Sequence, residues 1–234
     1  TERASVPLTY AWIHGIVFTY PFSDGRSYML RGIKLELWED VPLLPDQWIK
    51  TVYTVEPTSD YDYGLTHRNY VLANTWYHVD DSGKFDFGNI YVGLLGKTLY
   101  IKLFFIFHDE GDGFSEYGTE KLKIVDANWN VIEYRFNIGF YWSGQDSGIL
   151  GLSSPQLNAG NSLLSDEATH IFYDTAKAYT YFEQLVGFQP GLVTARINYS
   201  ATGAPGCMGS VIYFNGWTID YLTYEATDII LHEY

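Results

Sequence analysis

The chain has 234 residues, enough for one large domain or two small ones with a real core. Lys and Arg number 14 against 28 Asp and Glu, a formal net charge of -14, which sets the chain against polyanions: no nucleic acid partner is expected, and cations match it better. Aromatic residues make up 18%, with 21 Tyr, 14 Phe and 7 Trp, a composition that favours strands and broad packed or adhesive surfaces. Cys207 is the single cysteine, which excludes an intrachain disulfide and predicts a small buried apolar residue.

The sequence opens on Thr1, and no apolar run approaches the roughly 20 residues of a membrane span. An acidic, Tyr-rich, lysine-poor sequence without an initiator Met predicts a processed chain with an extracellular or cell-surface location, although an excised tag would leave the same start. Asn198-Tyr199-Ser200 is an N-glycosylation sequon and agrees with that setting.

In chain order, the arm Thr1 to Tyr10 comes first, and Pro7 cannot donate to a ladder, so the arm is not expected as a central strand. Val6, Leu8 and Tyr10 are its candidate assembly contacts, docking on a neighbouring copy. Short β-prone runs then recur: Ala11 to Tyr20, Tyr28 to Trp38, Tyr70 to Val79, Lys84 to Val92, Thr98 to Phe107, Lys121 to Val125 and Val131 to Ile138. Seven such runs predict a sandwich. In Ile33 to Leu37, Lys34 and Glu36 face one side and Ile33, Leu35 and Leu37 the other, the pattern of a strand with one wet face. Ile13 to Tyr20 and Leu99 to Phe107 carry apolar residues at both parities and are expected to be covered on both faces or to engage another subunit. Ser23-Asp24-Gly25, Asp81-Ser82-Gly83 and Ala127 to Asn130 supply turns between runs.

Arg31-Gly32-Ile33-Lys34-Leu35-Glu36-Leu37-Trp38 and the later Asp80-Asp81-Ser82-Gly83-Lys84-Phe85-Asp86-Phe87 resemble the transthyretin-like or carboxypeptidase-regulatory-like β-sandwich modules of secreted surface proteins. The resemblance implies a scaffold or binding role over residues 1–140.

After the long apolar run, His108 is followed by Asp109, Glu110 and Asp112 in a glycine-containing stretch, with Glu116 close behind. Calcium takes several hard oxygen ligands on flexible backbone, which makes these four carboxylates candidate calcium ligands, with a solvated acidic turn as the alternative. His14, His67 and His78 lie among aromatic strand residues and read as structural.

Residues 141–165 are rich in Gly, Ser, Asn and Gln and read as a linker or a long surface loop. The period then becomes helical: Ala168, Ile171, Phe172, Ala176, Tyr179, Phe182 and Val186 form one stripe behind the N-cap Ser165, ended by Gly187. Two short strands, Leu192 to Tyr199 and Gly209 to Asn215, and a second helix from about Thr223 complete the 166–234 part. The expected fold is mainly β with an α+β C-terminal part: an antiparallel sandwich followed by a small sheet with two helices.

The sequence ends on Asp228-Ile229-Ile230-Leu231-His232-Glu233-Tyr234. Helix, strand, strand and then a helix bearing His-Glu is similar to the first subdomain of zincin-type zinc metallopeptidases, whose helix carries His-Glu-x-x-His. The resemblance implies His232 as a zinc ligand and Glu233 as general base. The second histidine would fall beyond Tyr234, and a catalytic zinc needs three protein ligands, so this chain is expected to hold no stoichiometric zinc and to hydrolyse no peptide as it stands. Two expectations follow. One is a secreted surface, structural or assembly protein of filament or adhesion type, with other copies of itself as partners and an incomplete, non-catalytic peptidase-like half-domain. The other is a fragment of a secreted zinc metallopeptidase.

Overall fold

The computed structural model describes residues 9–19, 29–54, 69–72, 75–78, 83–108, 120–153, 168–176, 178–179, 191–198 and 206–215. They form β1 (Tyr10–Phe18), β2 (Ile33–Glu39), β3 (Gln47–Tyr53), β4 (Asn69–Leu72), β5 (Thr75–His78), β6 (Lys84–Tyr91), β7 (Lys97–His108), β8 (Glu120–Val125), β9 (Glu133–Tyr141), β10 (Asp146–Ser153), β11 (Val193–Asn198), β12 (Gly206–Met208) and β13 (Val211–Asn215). One helix, α1, has 168–176 and 178–179 as its described residues. The fold is mainly β with a small helical part.

β7 organises the larger sheet, whose order is β12-β13-β11-β8-β7-β2-β3. Leu99 to Phe107 pair with β2 on one side; on the other side β9 pairs along the first part of β7 and β8 along its last. Period-2 geometry then sorts its side chains. Leu99, Ile101, Leu103, Phe105 and Phe107 all enter the core, level with Ile33, Leu35 and Leu37 of β2. The opposite parity lies on the other face of the sheet, where Lys34, Glu36 and Trp38 neighbour Phe104, Lys102 and Tyr100, and there Tyr100 and Ile106 are buried as well. Two cations lie over rings there, Lys34 Nζ 5.1 Å from the Phe104 centroid and Lys102 Nζ 5.3 Å from that of Trp38, so long basic side chains shield an aromatic face.

The smaller sheet, β10-β1-β6, shares its core cluster with the inner face of the larger one. β1 is its central strand, and Ile13 to Phe18 are buried at both parities, as the apolar run predicts. Gly15 lets β10 come close: a Cβ there would lie 2.2 Å from the Leu150 carbonyl oxygen, so no larger residue fits without moving β10. β10 itself lies inside the stretch expected as linker or loop. Neither sheet is purely antiparallel, because β1 with β10, β8 with β11 and β11 with β13 run parallel.

α1 lies between the parallel partners β8 and β11 in the sequence. Its stripe packs on β7: the Phe172 ring is 5.7 Å from Phe105 and 6.2 Å from Phe107, and Tyr179 is 5.7 Å from Phe107. Thus β11, β13 and β12 extend the sheet built by the first half of the chain. Cys207, expected to be buried, is exposed on the edge strand β12.

Candidate contact surface at the loop end

Three connections gather at one end of the sandwich: 40–46 between β2 and β3, 92–96 between β6 and β7, and 142–145 between β9 and β10. Strand register puts them there. Glu39 at the end of β2 faces Leu99 near the start of β7, Lys97 faces Tyr141 at the end of β9, and Tyr91 at the end of β6 faces Tyr10.

Thr9 ties two of these loops together. Its amide donates to Ser143 Oγ at 2.7 Å, while its carbonyl accepts from Val92 N at 2.9 Å and Gly93 N at 3.1 Å. It does so at φ +81°, an outlier conformation for a β-branched residue. Gly96 (φ +79°) closes the 92–96 turn where a Cβ would meet the Phe140 ring at 2.4 Å; Phe140 is itself T-shaped against Trp142 with centroids 4.6 Å apart.

The third loop is clamped at its base. Arg135, on β9, donates to Asp40 Oδ2 at 3.0 Å and to Asp46 Oδ2 at 3.4 Å, bridging the two flanks of the loop. Its guanidinium lies 3.6 Å from the Tyr100 ring centroid, and the Tyr100 hydroxyl donates to Asp46 Oδ2 at 2.8 Å. Burial, reinforced by Asp46, pushes the Tyr100 phenol up to about 12. Lys97 and Glu39 form a further ion pair beside the clamp, and Leu44 N donates to Val41 O at 3.1 Å within the turn.

The clamp supports an apolar apex. Leu43 is fully exposed at φ +66°, and Leu94 and Leu95 are 78% and 86% exposed. Of the eleven exposed large apolar residues among those described, eight lie in or beside these three loops: Leu43, Leu44, Trp48, Tyr91, Leu94, Leu95, Phe140 and Trp142. The remaining three are Trp129, Leu192 and Met208. Residues 41–45, 92–96 and 142–145 carry no charged side chain in a chain of net charge -14. Burial explains an apolar core; it does not explain leucines standing in water at one end.

The residues singled out in the sequence fare differently. Tyr10 begins β1 and packs edge-to-face on Tyr91 with centroids 5.6 Å apart, at this same end. Val6, Leu8, Asp109, Glu110, Asp112, Glu116, His67, His232 and Glu233 lie outside the described residues. Asn198 closes β11. His14 is buried and structural, its Nε2 2.9 Å from Asp146 Oδ1 and its ring stacked 4.1 Å from Trp12. Among the described residues, no group of three or more His, Cys, Asp or Glu could hold a metal ion. No helix among them is long and apolar enough to cross a membrane. The loop end was not singled out from the sequence. Its signal is a leucine pair bracketed by turn residues, Pro42-Leu43-Leu44-Pro45 and Gly93-Leu94-Leu95-Gly96.

No family model and no curated protein matches the sequence. Among solved structures the chain is similar to a 9R-lipoxygenase from Cyanothece PCC8801, at 13% identity and a TM-score of 0.25, over 81% of this chain and 27% of that one. A likeness that weak carries no argument. These findings overturn both family resemblances, the transthyretin-like or carboxypeptidase-regulatory-like module and the zincin subdomain. The residues that suggested them have local explanations. In Gly83-Lys84-Phe85-Asp86-Phe87, Gly83 takes φ +94° at the entry to β6, and Phe85 and Phe87 fill the core. The helix, strand, strand order reflects α1 covering β7, with β11 and β13 joined to β8 in the main sheet.

Proposed function

We propose that the protein is a structural or adhesion-type surface module, acting outside the cell, that works by pressing its loop end against a partner surface. The observation that carries this reading is the concentration of exposed apolar side chains in and beside three loops whose outer residues, 41–45, 92–96 and 142–145, carry no charge. A folded chain gains nothing from leucines left in water, whereas contact with a partner removes them from it. The Arg135, Tyr100 and Thr9 contacts fix the loops beforehand, so little ordering cost remains at the moment of contact.

Carbene footprinting of the purified protein and of the same protein in its native setting tests this. Protection of Leu43, Leu44, Leu94, Leu95 and Trp142 in the native setting is expected. Equal labelling in both states would remove the loop end from the function.

Assembly between copies is the second reading, favoured by one observation: Tyr10, the last residue of the N-terminal arm, sits against Tyr91 at this same end. Sedimentation velocity of the intact chain and of a chain lacking residues 1–8, which keeps the Thr9 contacts to both loops, separates it, because a loss of higher species on that truncation is expected only if copies dock through the arm.

A further inference from the structure

We infer that the surface met by the loop end is the apolar layer of an uncharged or zwitterionic lipid assembly, entered by the Leu43-Leu44 and Leu94-Leu95 tips with Trp142 at the polar boundary. This rests on the proposed contact role of the same loops and names the partner.

Three features of the tips favour lipid over a protein partner. Specific protein interfaces carry directed polar contacts around an apolar centre. Here the polar side chains of the loops are engaged within the fold: Asp40 and Asp46 by Arg135, Ser143 Oγ by accepting from Thr9 N, and Gln145 Oε1 by accepting from Trp142 N at 2.9 Å. What remains outward is apolar and undirected, which suits a fluid acyl layer. Second, a peptide immersed in hydrocarbon must satisfy its own polar groups, and the turns begin to do so through Leu44 N to Val41 O, Gln145 N to Trp142 O and Gly93 N to Thr9 O. Third, Trp142 is exposed beside the tips, and tryptophan settles where the apolar layer meets head groups.

Charge decides which lipid. Behind the tips, Glu39, Asp40 and Asp46 face Lys97 and Arg135, and Asp146 lies beside His14. That belt is acidic on balance, so anionic head groups would be repelled, and the attraction is apolar rather than coulombic.

The test is co-sedimentation with phosphatidylcholine vesicles, repeated with added phosphatidylserine and at high salt. The native chain should partition onto phosphatidylcholine, undiminished by salt and no better with phosphatidylserine. Leu43→Ser/Leu44→Ser and Leu94→Ser/Leu95→Ser should each weaken it by about tenfold or more, while Met208→Ser, at a distant exposed apolar residue, should not. A native chain that stays in the supernatant overturns the lipid assignment; if footprinting still protects the loops in the native setting, the contact reading survives with a protein partner. Vesicle binding that needs phosphatidylserine and is abolished by salt, or that both leucine-pair variants retain in full, also overturns the inference. A protein whose loops are neither protected nor lipid-bound would overturn both readings.

Discussion

Leu103 and Leu94 are the same residue in opposite circumstances. Leu103, on the inner face of β7, is 1% exposed among the core of two sheets and a helix, whereas Leu94 stands on a turn and is 78% exposed. The core leucine is explained by folding: its removal from water helps hold the sheets together. The loop leucine is not, since nothing in the described fold covers it. Under the proposed function, folding and contact belong to separate regions, and they should separate under mutation.

The largest break in that comparison comes from the core. Phe105 touches Tyr134 and Phe172 and is fully buried. Phe105→Ala should therefore cost about 3–5 kcal/mol in denaturant unfolding. Leu94→Ser/Leu95→Ser should stay within about 0.5 kcal/mol of the native chain. A leucine-pair variant as unstable as Phe105→Ala would show that those leucines are packed and that the two regions are one.

Gly15→Ala comes next. Its Cβ would meet the Leu150 carbonyl at 2.2 Å, a backbone atom that can move only by shifting β10. A loss of about 1–3 kcal/mol is expected, measured as a lowered urea midpoint with the slope unchanged. No loss would mean that β10 is held less closely than its register indicates.

Legibility in the sequence follows the same division. β2 was readable because Ile33, Leu35 and Leu37 alternate with Lys34 and Glu36, and one face is wet. β10 was not, because its Gly and Ser content matches a linker; it is a strand through its parallel pairing with β1, which Gly15 permits from far away in sequence. β3 was missed for a related reason. It is half exposed, and a register shift at Leu37 and Trp38 removes the simple alternation of a one-sided strand. The loop end had local signals in its two bracketed leucine pairs, but only the register of β2, β6, β7 and β9 brings them to one end. The sandwich-module resemblance failed because a short apolar alternation after a glycine suits many strands that enter a core, and the zincin resemblance because a helix followed by two strands also arises where α1 covers β7 and β11 and β13 extend its sheet.

Between core and tips lies the clamp, and pH probes it. The Tyr100 phenol is raised from 10.0 to about 12 by burial and by Asp46. Below pH 10 both folded and unfolded chains keep the proton, and the stabilisation is fully present. As pH rises from 10 towards 12 the unfolded chain ionises first, so stability is lost across that window. Burial raises Tyr53 and Tyr141 as well, helped by Glu120 and Asp146 respectively, so they add to the same loss. Tyr100→Phe should shrink the alkaline loss by about 1–2 kcal/mol. An unchanged alkaline profile would place the Tyr100 hydroxyl outside the clamp.

The smallest stability effect gives the sharpest separation. Leu43 holds φ +66° while its side chain is fully in water, and a non-glycine residue in that conformation carries roughly 1–2 kcal/mol of strain. Glycine would relieve the strain and, by freeing the unfolded chain, return roughly 0.5–1 kcal/mol of the gain. Leu43→Gly should therefore leave the free energy of unfolding unchanged or raise it by up to about 1 kcal/mol, while weakening the proposed contact with the partner surface. Folding alone would thus be served as well by glycine, and under the proposed function the side chain at 43 acts only when something meets the loop. A Leu43→Gly chain that unfolds more easily than the native one would show that Leu43 packs within the fold, and the distinction between the two regions would fail at the residue where it is most exposed.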